Sequence, residues 1–281
     1  MSMAQQHGLW SSPMLRWMAA GIVVINGFFP AVWILFTSLK PEVELVQKPI
    51  TWWPHGPTLE NYVRAFADQP LLTYLKNSVL VASGATLLSL VVSAFAAYAI
   101  ARLNLKYRQL ILTCIVASSM FPLVTLLVPI FETMRALGWL NTYAALIFPY
   151  VVLNLPVCTL VLVSFFQSIP KDLENAAMID GCTRMGALVR VVVPLAAPGV
   201  FTAGILAFVN SWDEFLLALS LNSSPAVRTL PVGIALYQGE FTFPWPIISA
   251  ALIVSIVPIA LLIAAFQERV VGGLTQGGLK G

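Results

Sequence analysis

Charged residues gather in a few short stretches of this chain, and between them run six long apolar segments, approximately 17–37, 78–101, 109–131, 143–166, 199–220 and 247–266. Each reaches the roughly 20 residues that a helix rising about 1.5 Å per residue needs to cross a hydrocarbon core about 30 Å thick. The runs are continuously apolar, whereas a transmembrane strand would show about 9–11 alternating residues. The pattern therefore predicts an all-α membrane protein with six transmembrane helices in a single domain over 1–281. The first segment exceeds a signal-peptide core, and Thr37-Ser38-Leu39-Lys40 offers no small-x-small cleavage pattern, so it reads as a retained helix.

Two connections are long enough to carry structure. The one over about 38–77 contains Thr51-Trp52-Trp53-Pro54 and then a helical stretch from Leu59 to Ala67 opened by Thr58 as N-cap. Its tryptophans suit either an interfacial anchor or a partner contact. The other, about 167–198, mixes Lys171, Asp172, Glu174, Asp180, Arg184 and Arg190 with apolar residues at helical spacing, which predicts short amphipathic helices at the membrane surface. Pro170 opens the first, where Leu173, Ala176, Ala177 and Asp180 share a face, and Gly181 supplies a break where positive φ is cheap. A second helix around Arg184 to Val192 precedes Pro194 and Pro198, and the product is a bent helical knob. Ser89, Ser93, Ala97 and Ala101 recur every four residues and predict a close-packing face. Beyond 266 comes a tail, 267–281, whose five glycines from Gly272 onward predict no stable helix without docking.

Six crossings put both termini on one side. With the termini inside, nine basic residues face inward and six outward, and the short link carrying Lys106 and Arg108 holds no acid, which favours a cytoplasmic location for both ends.

Composition narrows the function classes. The chain is 59% hydrophobic and 10% charged, against about 25% charged in soluble domains, and its net charge of +3 is too dispersed for a nucleic-acid surface. Cys114, Cys158, Cys182, His7 and His55 form no set with metal-ligand spacing. Gly181 and Gly186 share the first spacing of a phosphate loop, but Ala187 and Leu188 stand where Lys and Ser or Thr would be needed. The chain is therefore expected to bind no cofactor or metal and to be no enzyme. Asp213 and Glu214 are acids in an apolar run, with Asp213 about 21 Å along it. Pairing inside the assembly, lining a pathway and touching substrate all remain open for them. Tyr150, Asn154, Asn210 and Trp212 offer hydrogen bonds and aromatic faces that suit either a substrate or neighbouring helices.

The 167–198 loop reads Asn175-Ala176-Ala177, three residues, Gly181, nine residues, then Val191-Val192-Val193-Pro194. This resembles the hallmark of the inner-membrane permease subunits of ATP-binding cassette importers, Glu-Ala-Ala followed at the same spacings by Gly and Ile-x-Leu-Pro. Asn175 replaces the glutamate and Val193 the leucine, so the family's carboxylate is missing at 175, with Glu174 and Asp180 nearby. Thr58-Leu59-Glu60-Asn61-Tyr62, Ser211-Trp212-Asp213-Glu214-Phe215 and the Gly-rich end are similar to the maltose-type subfamily. The resemblance implies a type I importer permease fold with a coupling-helix loop, in a prokaryotic cytoplasmic membrane. It implies ATPase contacts at Glu174, Asn175, Ala176, Ala177, Asp180, Gly181, Arg184, Gly186 and Pro194, and at Leu274, Thr275, Gln276 and Gly277 of the tail. It further implies a second homologous permease, two cytoplasmic ATPase subunits carrying ATP and Mg, an external solute-binding protein, and an oligosaccharide or related polyol as cargo. An ion-coupled secondary transporter using Asp213 and Glu214 is the alternative.

Overall fold

The structure, a computed structural model, describes residues 13–239 and 243–278, with side chains described through Phe266. Every regular element among the described residues is helical. Four helices are long and apolar enough to cross a membrane: α1 (Pro13–Leu39), α4 (Leu71–Arg102), α7 (Ala144–Ser168) and α14 (Trp245–Gly278). Two bent pairs raise the number to six if each is one span.

The contacts group into two units, Met1–Gln69 with Tyr237–Val254, and Pro70–Leu236 with Ser255–Gly281. In the first, α1 is followed by α2 (Glu42–Leu45) and α3 (Glu60–Asp68). The loop between them folds onto the end of α1. Trp52 packs edge-on to Trp33 with centroids 5.5 Å apart, and Trp53 lies 4.7 Å from Phe36. The Lys40 ammonium donates to the Thr51 carbonyl and sits 5.1 Å above the Trp33 ring. The buried Glu44 accepts from Thr51 Oγ1 at 2.7 Å and from the His55 amide. The Thr51 hydrogen bond holds the Glu44 carboxyl below its usual range, with the His55 amide and the Lys40 charge acting the same way against the opposing effect of burial. Helix α3 begins one residue later than the pattern predicts, with Leu59 at its N-cap, and Thr58 Oγ1 accepts from the Glu60 amide at 3.1 Å. Asn61 Nδ2 donates to the Ser38 and Lys40 carbonyls, and the Tyr237 hydroxyl donates to the Ala65 carbonyl.

The second unit is built on α4, α7 and α11 (Ala197–Trp212), which pack against one another. The small-residue row does what its spacing predicts: Ser89, Ser93, Ala97 and Ala101 are all buried. Gly199 marks a close approach, since a Cβ there would fall 2.3 Å from Phe165 Cγ. At the other end of α4, Tyr74 lies against Gly233 of α13 (Leu230–Ala235), and Asn77 donates to the carbonyls of Ala226 and Arg228.

Two expected continuous helices are interrupted. The 109–131 run is α5 (Arg108–Ser119) and α6 (Leu123–Ala136), bent by 90°. Pro122 has no amide to donate and disfavours helical geometry at Phe121, and the Ser118 and Ser119 hydroxyls bond back to the Ile115 and Val116 carbonyls. The 199–220 run stops at Trp212, and a separate α12 (Leu216–Leu221) follows, its first amides taken by the Glu214 carboxylate. The tail is also corrected. Helix α14 continues to Gly278, because extending an existing helix avoids the nucleation cost and each glycine costs only about 1 kcal/mol relative to alanine. Residues 279–281 lie outside the described residues, as do the side chains of Leu274, Thr275 and Gln276.

Candidate functional site

Two regions bring the singled-out residues together. The first is the 167–198 loop. Pro170 precedes α8 (Lys171–Ile179), whose first turn carries Asp172 and Glu174, acids favoured by the helix dipole. Helix α8 ends in a Schellman closure: the Cys182 amide reaches the Ala177 carbonyl at 2.9 Å, and the Gly181 amide reaches Met178 at 3.1 Å. Gly181 has φ of 91°, the left-handed conformation that its place after the Ala face predicts. Thr183 then caps α9 (Arg184–Ala187) by accepting from the Gly186 amide at 3.1 Å.

The second helix of the knob is not a plain α-helix. Leu188–Val192 forms a π-helical turn in which the Val193 amide reaches back to Leu188, and α10 (Val193–Leu195) follows. Pro194, lacking an amide, leaves the helix one donor short at this point. The chain then bends by 80° into α11. Leu188, Val192 and Ala196 enter one apolar core with Ala97, Tyr98, Leu162 and Phe166.

This packing sorts the expected contact residues. Asn175, Ala176, Asp180, Gly181, Arg184 and Pro194 are exposed, and Ala177 and Gly186 are half-buried. Ile179 is 86% exposed and Met185 53%, so the outward face is apolar in part. Glu174 departs from expectation. It is buried, with Tyr98 donating to its Oε1 and Arg102 Nε 3.3 Å from its Oε2, which leaves Asp172 and Asp180 as the exposed carboxylates at the two ends of α8.

The second region is a cleft of about 510 Å3 bordered by α5, α6, α7 and α11. Asn154, Asn210 and Glu214 line it, together with Ser118, Ser119 and Cys158. Asn210 Nδ2 donates to Asn154 Oδ1 at 2.8 Å, and Asn154 Nδ2 donates to Ser211 Oγ at 2.8 Å. The Tyr150 hydroxyl donates to Glu214 Oε2 at 2.6 Å, and the Leu217 and Ala218 amides donate to the same carboxylate. Glu214 therefore caps the start of α12. Trp212 is buried and stacked on Phe208 with centroids 5.5 Å apart, and Asp213 is exposed at the end of α11; neither lines the cleft. The serines were not anticipated, although Ser118-Ser119 interrupts an apolar run just before Pro122. Among the described residues no group of His, Cys, Asp and Glu could hold a metal ion.

A family model described as the binding-protein-dependent transport system inner membrane component matches residues 89–276, which include both regions. The chain belongs to this family. The permease is 72% identical, over 97% of its length and 95% of the relative's, to the sulfoquinovosyl glycerol transport system permease protein SmoH of Agrobacterium fabrum. It is 40% identical to the trehalose/maltose transport system permease protein MalG of Thermococcus litoralis, over 92% and 94% of the two chains. It is 39% identical to the trehalose transport system permease protein SugB of Mycobacterium tuberculosis, over 92% and 95%. Among solved structures, a chain of a bacterial ABC transporter that imports the acidic polysaccharide alginate superposes with a TM-score of 0.77 at 20% identity, covering 91% of the permease and 95% of that chain. A second, from the alginate transporter in complex with an alginate pentasaccharide-bound periplasmic protein, gives 0.65 at 15% identity, over 93% and 98%. These two support the fold. Family and apolar helices together make the permease a multi-pass membrane protein and a transport-system component.

Proposed function

We propose that the permease is a translocation subunit of an ATP-driven importer of a carbohydrate glycoside, with sulfoquinovosyl glycerol as the first candidate cargo. The cargo class rests on the transport systems named for its relatives, above all the one 72% identical over nearly the whole chain. The observation that carries the coupling is the knob. A helix closed by Gly181 at φ 91° presents Asn175, Ala176, Ile179 and Asp180 outward, which is the shape needed to enter a groove on a partner.

In this reading both termini are cytoplasmic, and two ATPase subunits bind ATP and Mg2+ and grip the knob through Asn175, Ala176, Ala177, Asp180, Gly181, Arg184 and Gly186. Pro194 shapes the knob's exit, and Leu274, Thr275, Gln276 and Gly277 extend the contact. A second, homologous permease completes the pathway, and an external solute-binding protein delivers the sugar. ATP drives the cycle only by binding one conformation more tightly than the other. Asn210, Ser118 and Ser119 face the cleft, where amide and hydroxyl groups suit sugar hydroxyls. Glu214 already accepts from Tyr150, Leu217 and Ala218, which disfavours its use as a proton carrier in an ion-coupled transporter.

The test is uptake of sulfoquinovosyl glycerol, with trehalose in parallel, into proteoliposomes holding the assembled complex and its solute-binding protein. ATP-dependent uptake that persists when the proton gradient is collapsed is expected. Uptake driven by a proton gradient without ATP would overturn the reading.

A further inference from the structure

The knob is joined to the C-terminal end of α4 by a buried polar lock. Glu174 sits in the first turn of α8, and its side chain is 9% exposed; that of Arg102, in the last turn of α4, is 4% exposed. Arg102 Nε lies 3.3 Å from Glu174 Oε2, while its terminal nitrogen donates to the Ile169 carbonyl at 3.0 Å, just before α8 begins. One turn earlier on α4, the Tyr98 hydroxyl donates to Glu174 Oε1. Two side chains of α4 thus meet on one carboxylate of α8, and the lower part of the knob shares an apolar core with Tyr98 and Ala101.

A buried ion pair adds little net stability relative to apolar residues of the same volume, because desolvation offsets the attraction. What it supplies is direction. The apolar contacts that Leu188, Val192 and Ala196 make in the core shared with Ala97, Tyr98 and Ala101 are non-directional, whereas the hydrogen bond and ion pair on the Glu174 carboxylate depend on the orientation of α8. We propose that Glu174 is a positioning residue, held by Arg102 and Tyr98, that makes α8 and the end of α4 move as one body, so that displacement of the knob is carried into the membrane helix. The inference rests on the reading of the knob as the ATPase contact.

The test uses the complete complex in nanodiscs, with native cysteines replaced and a bimane fluorophore on Asn104→Cys, an exposed position just beyond α4. Co-purification of the ATPase comes first; its absence from the unmutated complex would sink the reading of the knob, separately from the lock. Addition of ATP, Mg2+ and vanadate is then expected to change the fluorescence in the unmutated complex. In Glu174→Gln, with ATPase still bound, the change should fall at least fivefold. Tyr98→Phe keeps the ring in the core and removes only the hydroxyl, and should reduce the change about twofold to threefold. It decides the matter if Glu174→Gln fails to assemble. A full fluorescence change in the variant that assembles, or none in the unmutated complex, would overturn the proposal.

Discussion

At single residues, the sharpest constraints are places where a side chain has no room or no second conformation. A Cβ on Gly199 of α11 would meet Phe165 of α7 at 2.3 Å, and the contact is with the ring and Cβ rather than a flexible tip. Gly199→Val should therefore cost about 1–3 kcal/mol as the helices are forced apart, read as a lowered thermal midpoint in detergent with membrane insertion unchanged. Glu44 gives a pH-dependent counterpart. Because the Thr51 hydroxyl and His55 amide lower its folded-state pKa below the ordinary 4.5, its contribution is present above that value and is lost as pH falls through the depressed one. Acidification into that window should release the loop, read as altered fluorescence of Trp52 and Trp53 and faster proteolysis between Glu42 and Thr58. Glu44→Gln should show the loosened loop at neutral pH, and a loop equally protected at both pH values would refute the role.

At the level of elements, the knob depends on both its closure and its small outward face. Gly181 has open space around an added Cβ, so Gly181→Val acts through its φ of 91° alone, misdirecting α9 by strain of about 1–3 kcal/mol. Ala177→Asp adds bulk and charge to the half-buried alanine of α8. Both are expected to leave the membrane helices inserted and to weaken ATPase co-purification at least tenfold, with Lys106→Gln as the unaffected control. Much of this element was legible beforehand, because the Ala spacing, Gly181 and Pro194 are local signals. The Schellman turn follows from them directly. The destination of Glu174 was not legible, since its partners Tyr98 and Arg102 lie more than 70 positions away and nothing in the local pattern distinguishes a buried acid from an exposed one. A proline inside an apolar run marks a bend, yet Pro30, Pro129, Pro149, Pro156 and Pro258 all stay within helices whereas Pro122 sits at a break, and the break at Asp213 carried no such mark. Hydropathy averages over a window and registers apolar content, whereas a break depends on one missing amide or one carboxylate able to cap a new helix start. The tail misled in the opposite sense, because glycine content describes an isolated segment and α14 supplies it with a preformed helix end.

For the whole molecule, the exposed apolar surface makes sense only against lipid or other membrane subunits. Trp17, Ile22, Val23, Ile25 and Phe28 of α1 are each more than 60% exposed, far beyond what a water-soluble helix tolerates in series. The same argument fixes what an accessibility experiment must find. Gln238 and Glu60 are exposed residues in connections that, with six crossings and both termini inside, face outward, while the exposed Arg184 belongs to a connection that faces inward. Basic residues bias this choice, with Lys106 and Arg108 concentrated in the short acid-free link after α4. Gln238→Cys and Glu60→Cys should therefore react with an impermeant maleimide added to sealed cells, and Arg184→Cys only after the membrane is opened. The 90° bend between α5 and α6 gives this measurement a second use. If the pair is one span, Asn104 and Asn141, in the connections on either side of it, must label from opposite faces; if it is re-entrant, both label from the same face and the connections after it exchange sides. Labelling of Asn141→Cys only from outside, together with Arg184→Cys only from inside, is the outcome expected of six crossings, and Arg184→Cys reacting in sealed cells would remove the knob from the side where ATP is held.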